Sequence, residues 1–432
     1  MVTKRETRAL AGTAVVVLGV ILAGVVVRAS GDSLGTASSP FVMVWHPQAD
    51  VLATIVAAVV LAAGVALGPR LLAASVHAQA FGAAAAGLAL AVGLAANAMR
   101  FGTYGWSFMF DLGPHGGFVA QHEILASLPA IDYGPRFLLD RFAEIVPSQP
   151  PSLAGHPPGF PLLLAWTHIR SPEGVAALCI AALALIAPAT YALGRSLDLG
   201  EQPARVAALL AVFSPALVLF GVSSTDAVFA LAGTVCAALL VSRGPRARLG
   251  GVVLFGLAAQ LSWLLFAIPA WAAIVVLRRE GLRPALVLGA LCALCAGAVM
   301  ALLAAGWGYD PVGTLQATGQ TYRNGIAGIR PYEFWVLGSP VAYGVMAGLP
   351  ILAALVVATV RGITPAVALA AVLVVAAVLG FTKAEVERIW LPFVPLACVA
   401  AASAVPRRWL TPALALLAAQ TAAVSLLFAT LW

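Results

Sequence analysis

Lys383, Glu385, Glu387 and Arg388 fall within six residues of the stretch TKAEVERIWLPFVP, directly before an apolar run. Only 9% of the chain is charged, so four charges in one place need a reason. Of 24 basic residues just two are lysines, Lys4 and Lys383, so the lysine here is unusual. An ammonium and a planar guanidinium, five residues apart at the start of a helix, can hold one phosphate by charge-assisted hydrogen bonds. The same charges can instead pair among themselves and only fix the depth of a helix at a membrane surface. The residues alone divide evenly between these two readings.

Other polar residues gather in a few stretches. Segment 99–173 carries Asp111, Glu123, Asp132, Asp140 and Glu144, with His156 in GHPPGFPLLLAWTHIRS. Asp226 stands in VSSTDAVFA between two apolar runs, and Asp310 follows GWGY. Tyr322, Arg323, Arg330 and Glu333 occupy TYRNGIAGIRPYEFW. Carboxylates can take a proton from a hydroxyl, and cations can hold a leaving phosphate. Together they suit a polar head group carried on an anionic lipid. Asp140 and Glu144 keep helical spacing and read as a solvated helix face. Trp106, Trp166, Trp307 and Trp335 fit an interfacial aromatic belt.

These residues need a membrane scaffold. The chain is 62% hydrophobic, with a mean hydropathy of +1.00, whereas soluble proteins are roughly 45–50% apolar. Apolar runs of about 20 residues, enough to cross a bilayer, recur from end to end without the alternation of barrel strands. The pattern predicts an all-α polytopic protein, one transmembrane domain over 1–432: three spans in 1–98, a long loop with interfacial helices over 99–173, and the remaining spans in 174–432. Spans are expected at 9–28, 51–68, 79–98, 174–193, 204–222, 226–242, 249–261, 264–277, 284–306, 336–360, 364–381, 389–404 and 409–430, about thirteen in all. Met1 to Arg8 is basic and the apolar run after it is long for a cleaved leader, so it reads as a retained anchor. All five cysteines fall in apolar spans, and Cys292-x-x-Cys295 has no acid or histidine nearby, so packing explains it.

The positive-inside rule tests this layout. With the N-terminus inside, the inner side collects 15 basic residues and four acids, and the outer side nine basic residues and thirteen acids. Segment 99–173, the loop 307–335 and TKAEVERIW are therefore expected together on the extracytoplasmic face. YGPRFLLDRFAEIVP reads as an amphipathic interfacial helix. GHPPGFPLLLAWTHIRS reads as a second one, too short to span, with Pro158 or Pro161 near its first turn and His156 capping or orienting it.

ERIWLPFVP resembles the R-x-x-x-P-x-x-P signature of membrane mannosyltransferases that build lipid-linked oligosaccharides, matched by Arg388, Pro392 and Pro395 with Glu387 before the arginine. The family's histidine is missing, and Lys383 lies further from the arginine than the family's lysine does. GHPPGFPLLL is similar to the H-P-P-L element of protein O-mannosyltransferases and lipid A aminoarabinose transferases, and Asp226 resembles an acid of their second outer loop. The resemblance, from about residue 79 to 404, is to the GT-C superfamily of polyprenyl-phosphate-dependent glycosyltransferases. The first two spans look like an addition.

The resemblance implies a sugar transferred from a polyprenyl phosphate to an extracytoplasmic glycan, lipid or protein at a bacterial plasma membrane. It implies Asp111 as general base with Glu123 as the second candidate, Arg388 and Lys383 on the donor phosphate, and Asp226, His156, Glu387, Tyr322, Arg323 and Arg330 around the substrate. Some relatives use a divalent cation, though the sequence shows no tight ligand cluster. A transporter would instead want ionisable groups at mid-membrane beside broken helices. A non-catalytic scaffold of the same fold is the third reading.

Overall fold

Apolar runs without alternation satisfy their backbones as helices, and a computed structural model bears this out. It describes residues 3–430 except 74, 115 and 117, and the regular structure among them is helical apart from two three-residue strands. Among the described residues six helices are long and apolar enough to cross a membrane: Lys4–Ala29, Val51–Leu72, Ala78–Trp106, Pro172–Ser196, Leu282–Trp307 and Arg407–Leu427. Two bent pairs bring the number to eight if each counts as one span. The other expected spans are shorter helices, among them Asp226–Leu240, Pro245–Ala258, Ala267–Glu280 and Thr364–Leu379.

The bent pairs depart from the expected continuous spans 204–222 and 336–360. Glu201–Phe213 and Pro215–Ser223 meet at 57°, and Tyr332–Ala347 and Leu349–Val360 at 114°. Proline explains where they break, since Pro215 and Pro350 stand at the first and second positions of the second halves and cannot continue a helix from before. Gly348 makes the sharper turn at φ +126, and a Cβ there would collide with Leu417. The two breaks touch. Ser214 Oγ donates to Ala347 O at 2.7 Å, and the Gln420 amide donates to Val345 O at 2.6 Å while accepting from Leu349 N at 3.0 Å. Backbone groups freed by the breaks thus find partners inside the protein, as hydrocarbon requires.

Contacts at the helix ends sort the molecule into two faces. On one, Arg361 pairs with Glu6, Arg205 bonds the carbonyls of Leu71, Ala73 and Val76, Asp198 holds Arg243 and Arg279, and Arg248 holds Glu280. On the other, Met43–Trp45 pairs antiparallel with Phe428–Thr430, and Arg388 meets Glu123 and Asp226. Every described ion pair joins residues that the arginine bias assigns to one side. The two will be called the arginine-rich and the acid-rich face.

Segment 102–171 covers the acid-rich face as short turns and helices. The expected amphipathic helix is two pieces, Pro135–Asp140 and Phe142–Ile145, parted at Arg141. They dock on the protein: Leu138, Leu139 and Phe142 are buried, whereas Phe137 is exposed. The second expected helix forms over Gly159–Thr167, with Pro158 at its N-cap position and Pro161 in its first turn. It has no side-chain cap, so His156 does not play that part. Gly159 is needed there because its N–H bonds Gln260 O at 2.7 Å, an approach that a Cβ would block. Trp166 and Trp307 are exposed as belt residues would be. Trp335 is not: it is buried, and its indole donates to Leu34 O at 3.0 Å.

Candidate functional site

Arg388 lies in the one-turn helix Val386–Ile389, just ahead of the buried helix Val394–Ala402. Ala384 and Glu385 enter it with φ of +61 and +59. Left-handed backbone at two successive non-glycine residues is uncommon and persists only where the surroundings hold it. The hold is visible. Lys383 N–H donates to Tyr322 Oη at 2.7 Å, and Arg330 donates to Lys383 O and to the Glu385 carboxylate, each at 2.6 Å. Val42, Trp335 and Ala384 form a small buried cluster over the turn.

The reversal turns the Arg388 guanidinium into the protein, where it is 8% exposed. Nη1 lies 3.2 Å from Glu123 Oε1 and 3.5 Å from Asp226 Oδ2, and Nη2 lies 3.6 Å from Glu385 Oε2. Three acids from three distant stretches therefore share one cation. Asp226 begins the helix Asp226–Leu240, where the helix dipole favours a carboxylate, and Ser224 Oγ donates to it at 2.8 Å. Glu123 opens the turn Ile124–Ser127 and is 1% exposed. Burial lowers the proton affinity of Arg388, but Asp226, Glu123 and Glu385 outweigh it and hold the group charged.

His156 joins from the start of the interfacial helix, its ring 5.2 Å from that of Phe229. Burial pushes its pKa down to about 4, Asp226 opposing and Arg388 reinforcing, so the imidazole is neutral near pH 7.

Four expected site residues lie elsewhere. The Lys383 ammonium donates to the carbonyls of Ala327 and Arg330 at 3.0 and 2.8 Å. Glu387 turns the other way and accepts from Val42 N at 2.5 Å, while its Oε2 has no partner among the described residues. Burial pushes its carboxyl up to about 7. Arg323 is exposed in the last turn of Pro311–Asn324. Asp111 is half-exposed and accepts from Tyr104 Oη at 2.7 Å and Gly113 N at 2.8 Å. Of the acids in its segment, Glu123 is the one in direct contact with Arg388.

Sequence reasoning overlooked Ser224, which orients Asp226, and Gln260, which receives the interfacial helix. Gly159 carried a usable signal, since a glycine after two prolines at a helix start marks a close backbone approach. Among the described residues no group of three His, Cys, Asp or Glu is arranged to hold a metal ion.

No family model matches the chain, and no curated protein or solved structure matches it either. A functional reading must therefore stand on the site's own chemistry.

Proposed function

We propose that this chain is a membrane glycosyltransferase of the GT-C type, moving a sugar from a polyprenyl phosphate to an extracytoplasmic acceptor. In this reading it crosses a bacterial plasma membrane about thirteen times, with the acid-rich face outside. One observation carries it: a buried arginine, preceding a P-x-x-P helix, shares its guanidinium among acids from three segments.

The charge balance suggests how such a site would work. Three carboxylates already surround Arg388, so an incoming phosphate must displace at least one. Glu123 is the acid assigned to move, because it reaches Arg388 from the covering segment, whereas Glu385 shares the arginine's own turn and Asp226 begins a buried helix. A carboxylate that loses its cation gains proton affinity. Donor binding at Arg388 would thus create the base that the reaction needs. The acceptor oxygen attacks the anomeric carbon, its proton passes to Glu123, and the carbon–oxygen bond to phosphate breaks. The bonding pair leaves with the polyprenyl phosphate, held by Arg388. This gives Glu123 the role that the resemblance assigned first to Asp111, whose loop lies at the same segment's start. Lys383 acts indirectly, tying loop 327–330 to the arginine turn.

A transporter is favoured by the two touching helix breaks. Their described partners are Ser214, Gln420 and backbone, with Leu417 and Pro215 packed on Gly348, and no charged group is among them. That lining suits a sealed joint better than a solute site.

Purified protein in nanodiscs, incubated with labelled polyprenyl-phosphate sugars and a membrane extract, tests the proposal. Arg388-dependent loss of label from the carrier supports transfer. Solute flux in liposomes, with neither binding nor turnover of any carrier, would replace it with the transporter.

A further inference from the structure

A second group of side chains carries buried polar atoms with no hydrogen-bond partner among the described residues. Gln260 is 5% exposed, yet neither its amide nitrogen nor its amide oxygen has a partner among the described residues. The same holds for His156 Nδ1, the Trp263 indole N–H and the hydroxyls of Ser127 and Ser152. Short stretches of chain and two contacts link these residues, Trp263 following Gln260 by three positions. Gly159 N–H bonds Gln260 O, His156 precedes it by three residues, and Pro151–Ala154 packs on Ile124–Ser127. An unsatisfied buried polar group costs about 1–3 kcal/mol, and native proteins retain few. Several together indicate that something else completes their bonding.

The chemistry of the group narrows what that is. It offers donors and acceptors in mixture: an amide with both, two hydroxyls with both, an indole donor and a ring nitrogen. It carries no net charge, because His156 is neutral near pH 7. Phe229 and Phe160 lie edge to face beside it, 5.8 Å between centroids. Neutral hydroxyls on a partly apolar frame are the complement, as a sugar ring presents. His156 packs on Phe229, one turn along the helix from Asp226, and Asp226 pairs with Arg388 at 3.5 Å, so the group is joined to the guanidinium through that helix.

We infer that Gln260, with His156, Ser127, Ser152 and Trp263, forms a subsite that hydrogen-bonds the hydroxyls of a sugar ring, the one carried on the phosphate at Arg388. This rests on the glycosyltransferase reading for the ring's position and on the orphaned atoms for its chemistry. Gln260 is a positioning and specificity residue, with no part in the bond-making step.

The test compares decaprenyl phosphate, decaprenyl-phosphate mannose and methyl mannoside, binding to full-length protein in nanodiscs, wild type against Gln260→Leu and Gln260→Glu. Gln260→Leu is expected to weaken the sugar-bearing carrier at least tenfold and to leave the bare carrier within twofold. Its ligand-free unfolding midpoint should hold or rise, because the change removes two unsatisfied atoms, whereas loss of an amide that merely braces the fold would lower it. Weakening seen only with methyl mannoside would overturn the placement of the carrier's ring and put an acceptor ring in the subsite instead. Equal weakening of bare and sugar-bearing carrier, or none with any ligand, overturns it. Wild-type protein that binds methyl mannoside through Gln260 but no carrier sinks the glycosyltransferase reading and leaves the subsite standing. Binding of none of the three overturns both.

Discussion

The two faces of this protein solve their ion pairing in opposite ways. On the arginine-rich face acids are the hubs: Glu201 takes Arg195 and Arg205, and Asp198 takes Arg243 and Arg279. These hubs are open, with Glu201 and Asp198 side chains 39% and 52% exposed. On the acid-rich face an arginine is the hub and acids surround it, with the Arg388, Glu123 and Asp226 side chains 10%, 1% and 5% exposed. Exposed pairs contribute at most about 1 kcal/mol and suit stitching loops together beside anionic lipid. A buried cluster is another matter. Desolvation offsets much of its attraction, so the fold gains little by building one for stability alone. Under the proposed function, the acid-rich cluster is built for a ligand rather than for stability.

Four outcomes would break or sharpen that contrast. The broadest concerns which face is which. In a cysteine-free background, Tyr133→Cys on the acid-rich face and Arg243→Cys on the other are both at exposed positions. An impermeant maleimide is expected to label only Tyr133→Cys in intact cells and both after lysis; the reverse pattern would invert the assignment and remove the extracytoplasmic site.

Next in size is the base. Glu123→Gln keeps the shape but cannot accept a proton, and loss of a general base typically slows turnover about 10²–10⁴-fold. Carrier binding should survive. If Asp111→Asn suffers that loss and Glu123→Gln does not, the base belongs to the loop that Tyr104 holds.

The third outcome measures the hubs directly. Arg388→Ala leaves buried carboxylates uncompensated and is expected to destabilise the protein by about 3–5 kcal/mol, while Arg243→Ala should stay below about 1 kcal/mol. Adding Glu123→Gln to Arg388→Ala should restore part of the loss. Comparable small effects for both arginines, read from unfolding midpoints, would erase the contrast between the faces.

The smallest effect is a pH dependence. The Glu387 carboxyl is raised to about 7 from an ordinary 4.5, chiefly by burial. The folded protein then holds a proton that the unfolded chain has lost, so this residue's contribution is full below about pH 4.5 and fades as pH rises through 7. Unfolding midpoints from pH 4.5 to 8 should decline in wild type, and Glu387→Gln should flatten that part of the curve. An unchanged slope in the variant would show that the clamp on Val42 does not titrate there.

Much of this was legible in the chain, for physical reasons. Backbone polar groups in hydrocarbon must pair internally, so unbroken apolar runs had to be helices, and they are. Arginine counts separated two sets of loops, and every described ion pair respects that separation. The TKAEVERIW charges were conspicuous because burying charge is expensive, and Arg388 does head a buried cluster. What the sequence left open was which partners each charge would take. Lys383 and Arg388 looked like a pair, but two left-handed residues between them send one to backbone carbonyls and the other into the core. The resemblance put Asp111 ahead of Glu123, yet it is Glu123 that meets Arg388, and Glu387 looked like part of the cluster until Val42 claimed it. Side-chain direction at a turn, and contacts between residues 265 positions apart such as Glu123 and Arg388, depend on how helices pack. Composition sets the medium a chain folds in, and only the packed structure decides which of its few polar groups meet.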